Sequence, residues 1–233
     1  MQFNRHGTEM TPCHSARMML HLFRKLAIAL ILVQPAVILA SEWRLARSEN
    51  GIEIYLKESH TGSEKDIRAS VRIRSTTAAA LNLIRNAEQC SEWIHYCKSG
   101  RVLQNVSQSE WIVYSITSLP FPLKARDTIL ASRVESQNPG PVRIMFRTIP
   151  DYLPNDPMYV RIRDLSGSWS LLETPTGLNV VYEFRTDPGG LFPDWFVNDS
   201  LTNQPYQTLL NMRRLLERQT ALQNSANGEV SAR

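Results

Sequence analysis

The sequence predicts an α+β fold: one curved antiparallel sheet wrapped around a long C-terminal helix, with an apolar cavity left between them. Three observations predict it. Segments with an apolar residue at every second position recur along the chain, which is the period of a half-buried strand. Pro, Gly and Asn separate these segments at short intervals, so consecutive strands return antiparallel. The last amphipathic stretch is the longest and has helical spacing.

The first 40 residues stand apart from this pattern. Arg24-Lys25 precede an apolar run from Leu26 to Val33, and Ala36 to Ala40 follow. A basic n-region, a short apolar core and a small residue at a plausible cleavage point describe an export signal. Cleavage after Ala40 is expected. The alternative is an uncleaved segment that anchors the chain in an inner membrane. A spanning helix needs about 20 apolar residues, and this run is shorter and interrupted by Gln34-Pro35.

Gly51 to Lys57 alternates apolar and polar residues, and so do Ile67, Ala69, Val71 and Ile73 with Arg68, Ser70, Arg72 and Arg74. Both segments read as strands with one wet face. Thr76 or Thr77 then caps a helical stretch with Ala80, Leu81 and Ile84 on one face, running toward Trp93 and Ile94. Strands are predicted next at about 100–107, 109–118, 125–136, 140–149, 158–173 and 177–186. Turn residues mark the breaks, such as Asn138-Pro139-Gly140 and Asp151 to Pro157. The long stretch from about Asp194 to Arg218 carries Leu201, Pro205, Leu209, Met212 and Leu216 on one side. Pro205 should kink this helix or start its second part. The tail, residues 219–233, is polar and small and is expected to be flexible. One domain is therefore expected over residues 41–218, behind a signal at 1–40.

Composition narrows the function classes. The 233 residues are 42% hydrophobic and 21% charged, enough for a sizeable core and too few charges for a disordered chain. The net charge of +4 comes largely from the signal segment. Residues 1–40 hold Arg5, Arg17, Arg24 and Lys25 against Glu9, which leaves 22 basic and 21 acidic side chains beyond them. That balance gives little support to a nucleic-acid partner. No HExxH, CxxC, G-x-S-x-G or phosphate-binding glycine loop occurs in the sequence. No metal site, cofactor or catalytic residue is expected.

Four segments carry a family resemblance. Cys90-Ser91-Glu92-Trp93-Ile94-His95-Tyr96-Cys97 closes the helical insert, and Leu119-Pro120-Phe121-Pro122-Leu123-Lys124-Ala125-Arg126-Asp127 leads into a strand. Gly167-Ser168-Trp169 lies in a strand, and Asp187-Pro188-Gly189-Gly190-Leu191-Phe192-Pro193-Asp194-Trp195 leads into the last helix. In order and spacing these resemble START (StAR-related lipid-transfer) domains over about residues 45–218. The resemblance implies the START-like helix-grip fold and a hydrophobic small-molecule ligand, lipid or sterol-like. Little room precedes the first strand, so the N-terminal helix of longer START domains is expected to be absent or very short.

The resemblance also implies site residues. Arg126 and Asp127 match an Arg and Asp on the family's cavity side, where an arginine can hold a phosphate or carboxylate headgroup bidentately. The other reading is a structural ion pair between neighbouring elements. The loop with Phe121 matches the cavity entrance, where an exposed apolar tip suits transient contact with a membrane. Alternatively Phe121 tucks into the core. Gly189-Gly190 offers a hinge for the last helix as a lid, against a rigid connection. Trp93, Trp111, Trp169, Tyr114, Phe146 and Tyr182 are candidate cavity or core aromatics, and Leu209 and Met212 are candidate ligand contacts on the helix.

Cys90 and Cys97 are the two cysteines beyond the signal. In an oxidising compartment such a pair favours a disulfide, with two free thiols as the alternative. On one straight helix their Cα atoms would lie about 10 Å apart, beyond the roughly 7 Å reach of a bridge. A bridge therefore requires the helix to end between them. The expected function is non-catalytic binding, and transfer, of one hydrophobic ligand by a monomer exported to a bacterial periplasm. Two alternatives remain open. One is a cyclase- or hydrolase-like cavity enzyme, for which only Arg126, Asp127 and Tyr114 offer acid–base groups. The other is a membrane-tethered interaction protein with a vestigial cavity.

Overall fold

The computed structural model describes residues 42–58, 65–136, 140–187 and 192–231. The expected signal at 1–40, the Gly189-Gly190 hinge and the Asn138-Pro139 part of one turn lie outside these residues. Ten strands form one sheet: β1 (Arg44–Glu49), β2 (Ile52–Glu58), β3 (Lys65–Ile73), β4 (Cys97–Asn105), β5 (Glu110–Thr117), β6 (Arg126–Ser136), β7 (Val142–Thr148), β8 (Val160–Arg161), β9 (Asp164–Thr174) and β10 (Gly177–Asp187). Their order is β1-β2-β3-β10-β9-β7-β6-β5-β4, antiparallel throughout, with β8 pairing parallel to the start of β6. Helices α1 (Thr77–Arg85) and α2 (Cys90–Trp93) form an insert between β3 and β4. Helix α3 (Asp194–Ser231) closes the chain.

Strand register explains which residues face inward. Ile52, Ile54 and Leu56 pair with Val71, Ala69 and Ile67, and those pair in turn with Val180, Tyr182 and Phe184. Trp169 lies between Tyr182 and Ile144 on the same face. Because side chains alternate across a strand, this inner face is continuous from β2 to β7. Helix α3 covers its β2–β3 end with Leu209, Met212 and Leu216, all fully buried. The α1–α2 insert covers the other end.

The insert is built by local rules. The Thr76 hydroxyl accepts from the Ala79 amide and caps α1. The predicted helix does not run on to Ile94: it stops at Asn86, and a single 3₁₀ turn, Ala87–Gln89, leads into α2. That turn sits directly on β4 at Gly100, where a Cβ would collide with the Ala87 carbonyl. Only glycine permits the approach. Gly167 of the Gly-x-Trp motif acts likewise, leaving room for the Phe146 ring.

The structure departs from the sequence reading in four further places. Strand β1 occupies Arg44–Glu49; it is a mostly exposed edge strand without apolar alternation, so no signal marked it. The segment 158–173 is two strands, because the chain breaks after Arg161 once β8 has paired with β6. Pro205 lies inside α3, and no new element starts there. Helix α3 continues to Ser231, through residues expected to form the tail.

Candidate functional site

A cavity of about 120 Å³ lies between the insert and the inner face of the sheet. Ile84 of α1, Asn86, Ala87, and Trp93 and Cys90 of α2 roof it, with Ile94 beside them. Trp111, Val113 and Ser115 of β5, Leu130 and Ser132 of β6, and Ile144 and Phe146 of β7 form one wall. Leu165, Trp169 and Tyr182 of β9 and β10 complete it. None of these side chains is charged. Strand alternation places them: Trp111, Val113 and Ser115 pair with Ser132, Leu130 and Thr128, so all point to one side.

The aromatic wall is ordered by ring contacts. Trp169 stacks on Tyr182 with centroids 3.9 Å apart, and Tyr182 stacks on Phe184 at 4.5 Å. Trp93 meets Trp169 edge-on at 5.6 Å. The Tyr182 side chain is enclosed by protein, yet it keeps some accessible surface, as a cavity wall does. Burial pushes its phenol well above the ordinary range, so it stays protonated and can donate a hydrogen bond but cannot serve as a base.

The predicted residues separate into distinct places. Trp93, Phe146, Trp169 and Tyr182 meet at the cavity, and Trp111 joins them. Leu209 and Met212 do not line it; they are fully buried in the core over β2 and β3. Arg126 and Asp127 are neighbours on β6 and therefore point to opposite faces. Arg126 is buried on the inner side beyond the cavity, with its guanidinium 4.4 Å from the Phe192 ring centroid and burial lowering its pKa. Asp127 lies on the outer side and is 1% exposed.

The ion pair anticipated for Asp127 exists, with a partner from β8. Arg161 donates to Asp127 Oδ2 from Nε and Nη2, at 3.0 and 2.7 Å. Its remaining donors reach the carbonyls of Pro150, Leu153 and Pro154. Arg161 thus fastens the β7–β8 connection over β6. Tyr114 lies on this same outer face, and burial together with the Asp127 charge raises its pKa. Tyr114 and Asp127 are consequently not cavity groups, and the acid–base trio of the enzymatic reading is not assembled in one place. Among the described residues no cluster of His, Cys, Asp and Glu could hold a metal.

Phe121 is 95% exposed at the tip of its loop, and Met158 is 69% exposed. The Lys124 ammonium joins the two loops by donating to the Pro157 carbonyl at 2.6 Å. Cys90 and Cys97 form a disulfide with Cα atoms 5.8 Å apart. The bridge is possible because α2 ends at Trp93 and Tyr96 takes a left-handed φ of 66°. That turn also reaches α3. The Tyr96 hydroxyl donates to Asp199 Oδ2 at 3.2 Å, and the His95 amide donates to Thr208 Oγ1 at 3.1 Å.

A second, larger hollow of about 880 Å³ opens on the outer face of the sheet. Trp43 and charged residues such as Lys57, Arg68, Glu110, Arg133 and Glu183 line it. Arg68 is already paired with Glu183, and Arg133 with Glu135. The result is a surface carrying charges of both signs, in contrast to the uncharged lining of the smaller cavity. Sequence reasoning missed Ser115, Ser132 and Arg161. The serines had a weak signal: each follows strand alternation into an inward row beside Val113 or Leu130. Arg161 had none, because β8 was read as part of a longer strand.

Comparison with known proteins bears on this architecture. The sequence model of the family described as "START domain" matches residues 26–221. An uncharacterized protein of Pseudomonas aeruginosa is 29% identical over 181 residues, which covers 77% of this chain and 89% of that protein. A crystal structure of a STAR-related lipid transfer protein fragment from Xanthomonas axonopodis superposes with a TM-score of 0.70 at 27% identity, covering 75% of this chain and 98% of that one. Human StAR-related lipid transfer protein 5 shares the fold at 17% identity with a TM-score of 0.66, covering 87% of this chain and 96% of that one. With the helix-grip geometry and a family match over most of its length, this chain belongs to the START domain family.

Proposed function

We propose that this protein is a non-catalytic carrier that binds one hydrophobic molecule in an extracytoplasmic compartment and exchanges it at a membrane. The cavity carries the reading: its lining is mainly apolar and aromatic and free of charged side chains. Apolar surface removed from water contributes about 25 cal/mol per Å², so such a wall binds by burial. Membership of the START family and likeness to the STAR-related lipid transfer protein of Xanthomonas axonopodis support the same ligand class.

At about 120 Å³ the cavity is close in size to one that accepts benzene. A longer molecule requires the cover to move, and the polar ties between the Tyr96 turn and α3 are the contacts to release. Phe121 and Met158 project as apolar tips suited to a lipid surface. The Cys90–Cys97 bridge supports an oxidising compartment, hence residues 1–40 as an export signal and 41–218 as the binding domain. Among the described residues no helix is long and apolar enough to cross a membrane.

The test is mass spectrometry of the protein purified from its own host, followed by uptake of labelled lipids from vesicles. A single co-purifying hydrophobic species and one-to-one uptake are expected. Finding neither overturns the reading.

A further inference from the structure

Trp93 is 2% exposed, and its Nε1–H has no hydrogen-bond partner among the described residues. A buried indole N–H ordinarily finds an acceptor, and leaving it unpaired costs about 1–3 kcal/mol. The Trp93 ring forms part of the cavity wall, and the hydroxyl-bearing side chains of Ser115, Ser132 and Tyr182 line the same space. Tyr182 remains a neutral donor, because burial raises its pKa. The cavity therefore combines a mainly apolar lining with uncharged hydroxyls and a roof residue, Trp93, whose N–H is unmet.

We infer that the Trp93 indole N–H is a specificity-determining contact for the ligand. It donates to a single neutral acceptor (a ketone, ester carbonyl or ether oxygen) on a ring-sized apolar group seated in the cavity. This rests on the carrier reading above and narrows its ligand class. A charged terminus is excluded from this end of the ligand, since no lining side chain compensates an ion and desolvating an unpaired charge is prohibitive. Arg126, the cation matched to headgroup recognition by the family resemblance, sits outside the cavity under the Phe192 ring. The volume fits a six-membered ring and little more.

The experiment titrates the ¹⁵N-labelled protein with cyclohexanone, and separately with methylcyclohexane, which has similar bulk and no acceptor. The indole N–H resonance of Trp93 is followed by NMR, assigned from the spectrum that Trp93→Phe lacks. Cyclohexanone should move the Trp93 resonance downfield, and Trp93→Phe should weaken cyclohexanone about tenfold more than methylcyclohexane, as loss of one hydrogen bond to an otherwise unmet donor implies. Equal weakening of both probes by Trp93→Phe overturns the inference and leaves the carrier reading standing. So does a Trp93 resonance that cyclohexanone leaves in place, as a cavity holding only water would give. If neither probe binds and no lipid co-purifies, both readings fall. The wild-type titration decides even if Trp93→Phe does not fold.

Discussion

The two ends of the sheet's inner face are closed in different ways. Over β2 and β3 the cover is α3 from about Leu209 onward, with Leu209, Met212 and Leu216 at zero exposure against Ile52, Ile54 and Ile73. That half is a packed core. Over β5 to β7 the cover is the α1–α2 insert, and it spans a void. The cavity half is held by discrete ties: the Cys90–Cys97 bridge, the Asp127–Arg161 pair and the Tyr96–Asp199 hydrogen bond. The difference teaches that a space for ligand needs its walls fastened by linkages at the rim, because burial in the middle is what the space gives up. Helix α3 belongs to both halves, with its C-terminal part on the core and its N-terminal part on the rim.

The largest effects should come from breaking one fastening of each kind. Arg161→Met removes the guanidinium that pairs with the buried Asp127 carboxyl, and should cost about 3–5 kcal/mol of stability in denaturant unfolding. Conversion of both residues to an apolar pair should recover much of that loss. In the packed half, Leu209→Ala should cost about 2–5 kcal/mol, and the loss should appear in global unfolding with ligand uptake by the surviving fold little changed. If Leu209→Ala instead abolished uptake at intact stability, the division between packed core and cavity would be wrong.

Removal of the disulfide with Cys90→Ser and Cys97→Ser should have a smaller effect. The closed loop is short, so the loop-entropy model gives about 2.5 kcal/mol. The loss should fall on the insert, with faster amide exchange across α2 and the N-terminal part of α3 than around Leu216. Smaller again, Tyr96→Phe should cost about 1 kcal/mol or less. Its readout is opening of the segment near Asp199, measured by amide exchange, with the melting temperature nearly constant.

The smallest effect is that of pH. Burial lowers the His95 pKa, partly opposed by the nearby Asp199 charge. The unfolded state therefore binds a proton more readily than the folded state as pH falls below about 6.5. Stability is full above that value and declines as pH drops toward the lowered folded pKa. His95→Gln should flatten this part of the stability–pH curve, and an unchanged slope would remove His95 from the account.

Much of the fold was legible because strand periodicity is local information. The alternation in Gly51 to Lys57 and Ile67 to Arg74 fixed both strands and their inward faces, and Thr76 marked a helix start by its side chain alone. Strand β1 was illegible because an exposed edge strand needs no apolar row. The insert's break at Asn86 was illegible because its cause, contact of Ala87 with Gly100, joins residues far apart in sequence. Within the site, the aromatics were legible by type. The Phe121 loop left two readings open, and its 95% exposure rules out a ring tucked into the core.

By itself, the sequence determined the α+β class, the family resemblance, the strand faces, the long last helix and the condition under which Cys90 could reach Cys97. The resemblance rests on four motifs in order; the rest follow from period, turn chemistry and covalent reach. Only the tertiary structure decided that Arg126 and Asp127 part company across β6, that Asp127 belongs to Arg161, and that Leu209 and Met212 fill core while Trp93 faces a void. The physical reason is that alternation says which residues share a face, but not what covers it. Whether a face becomes core or cavity depends on where helix and insert come to rest, and that is a property of the whole assembled chain.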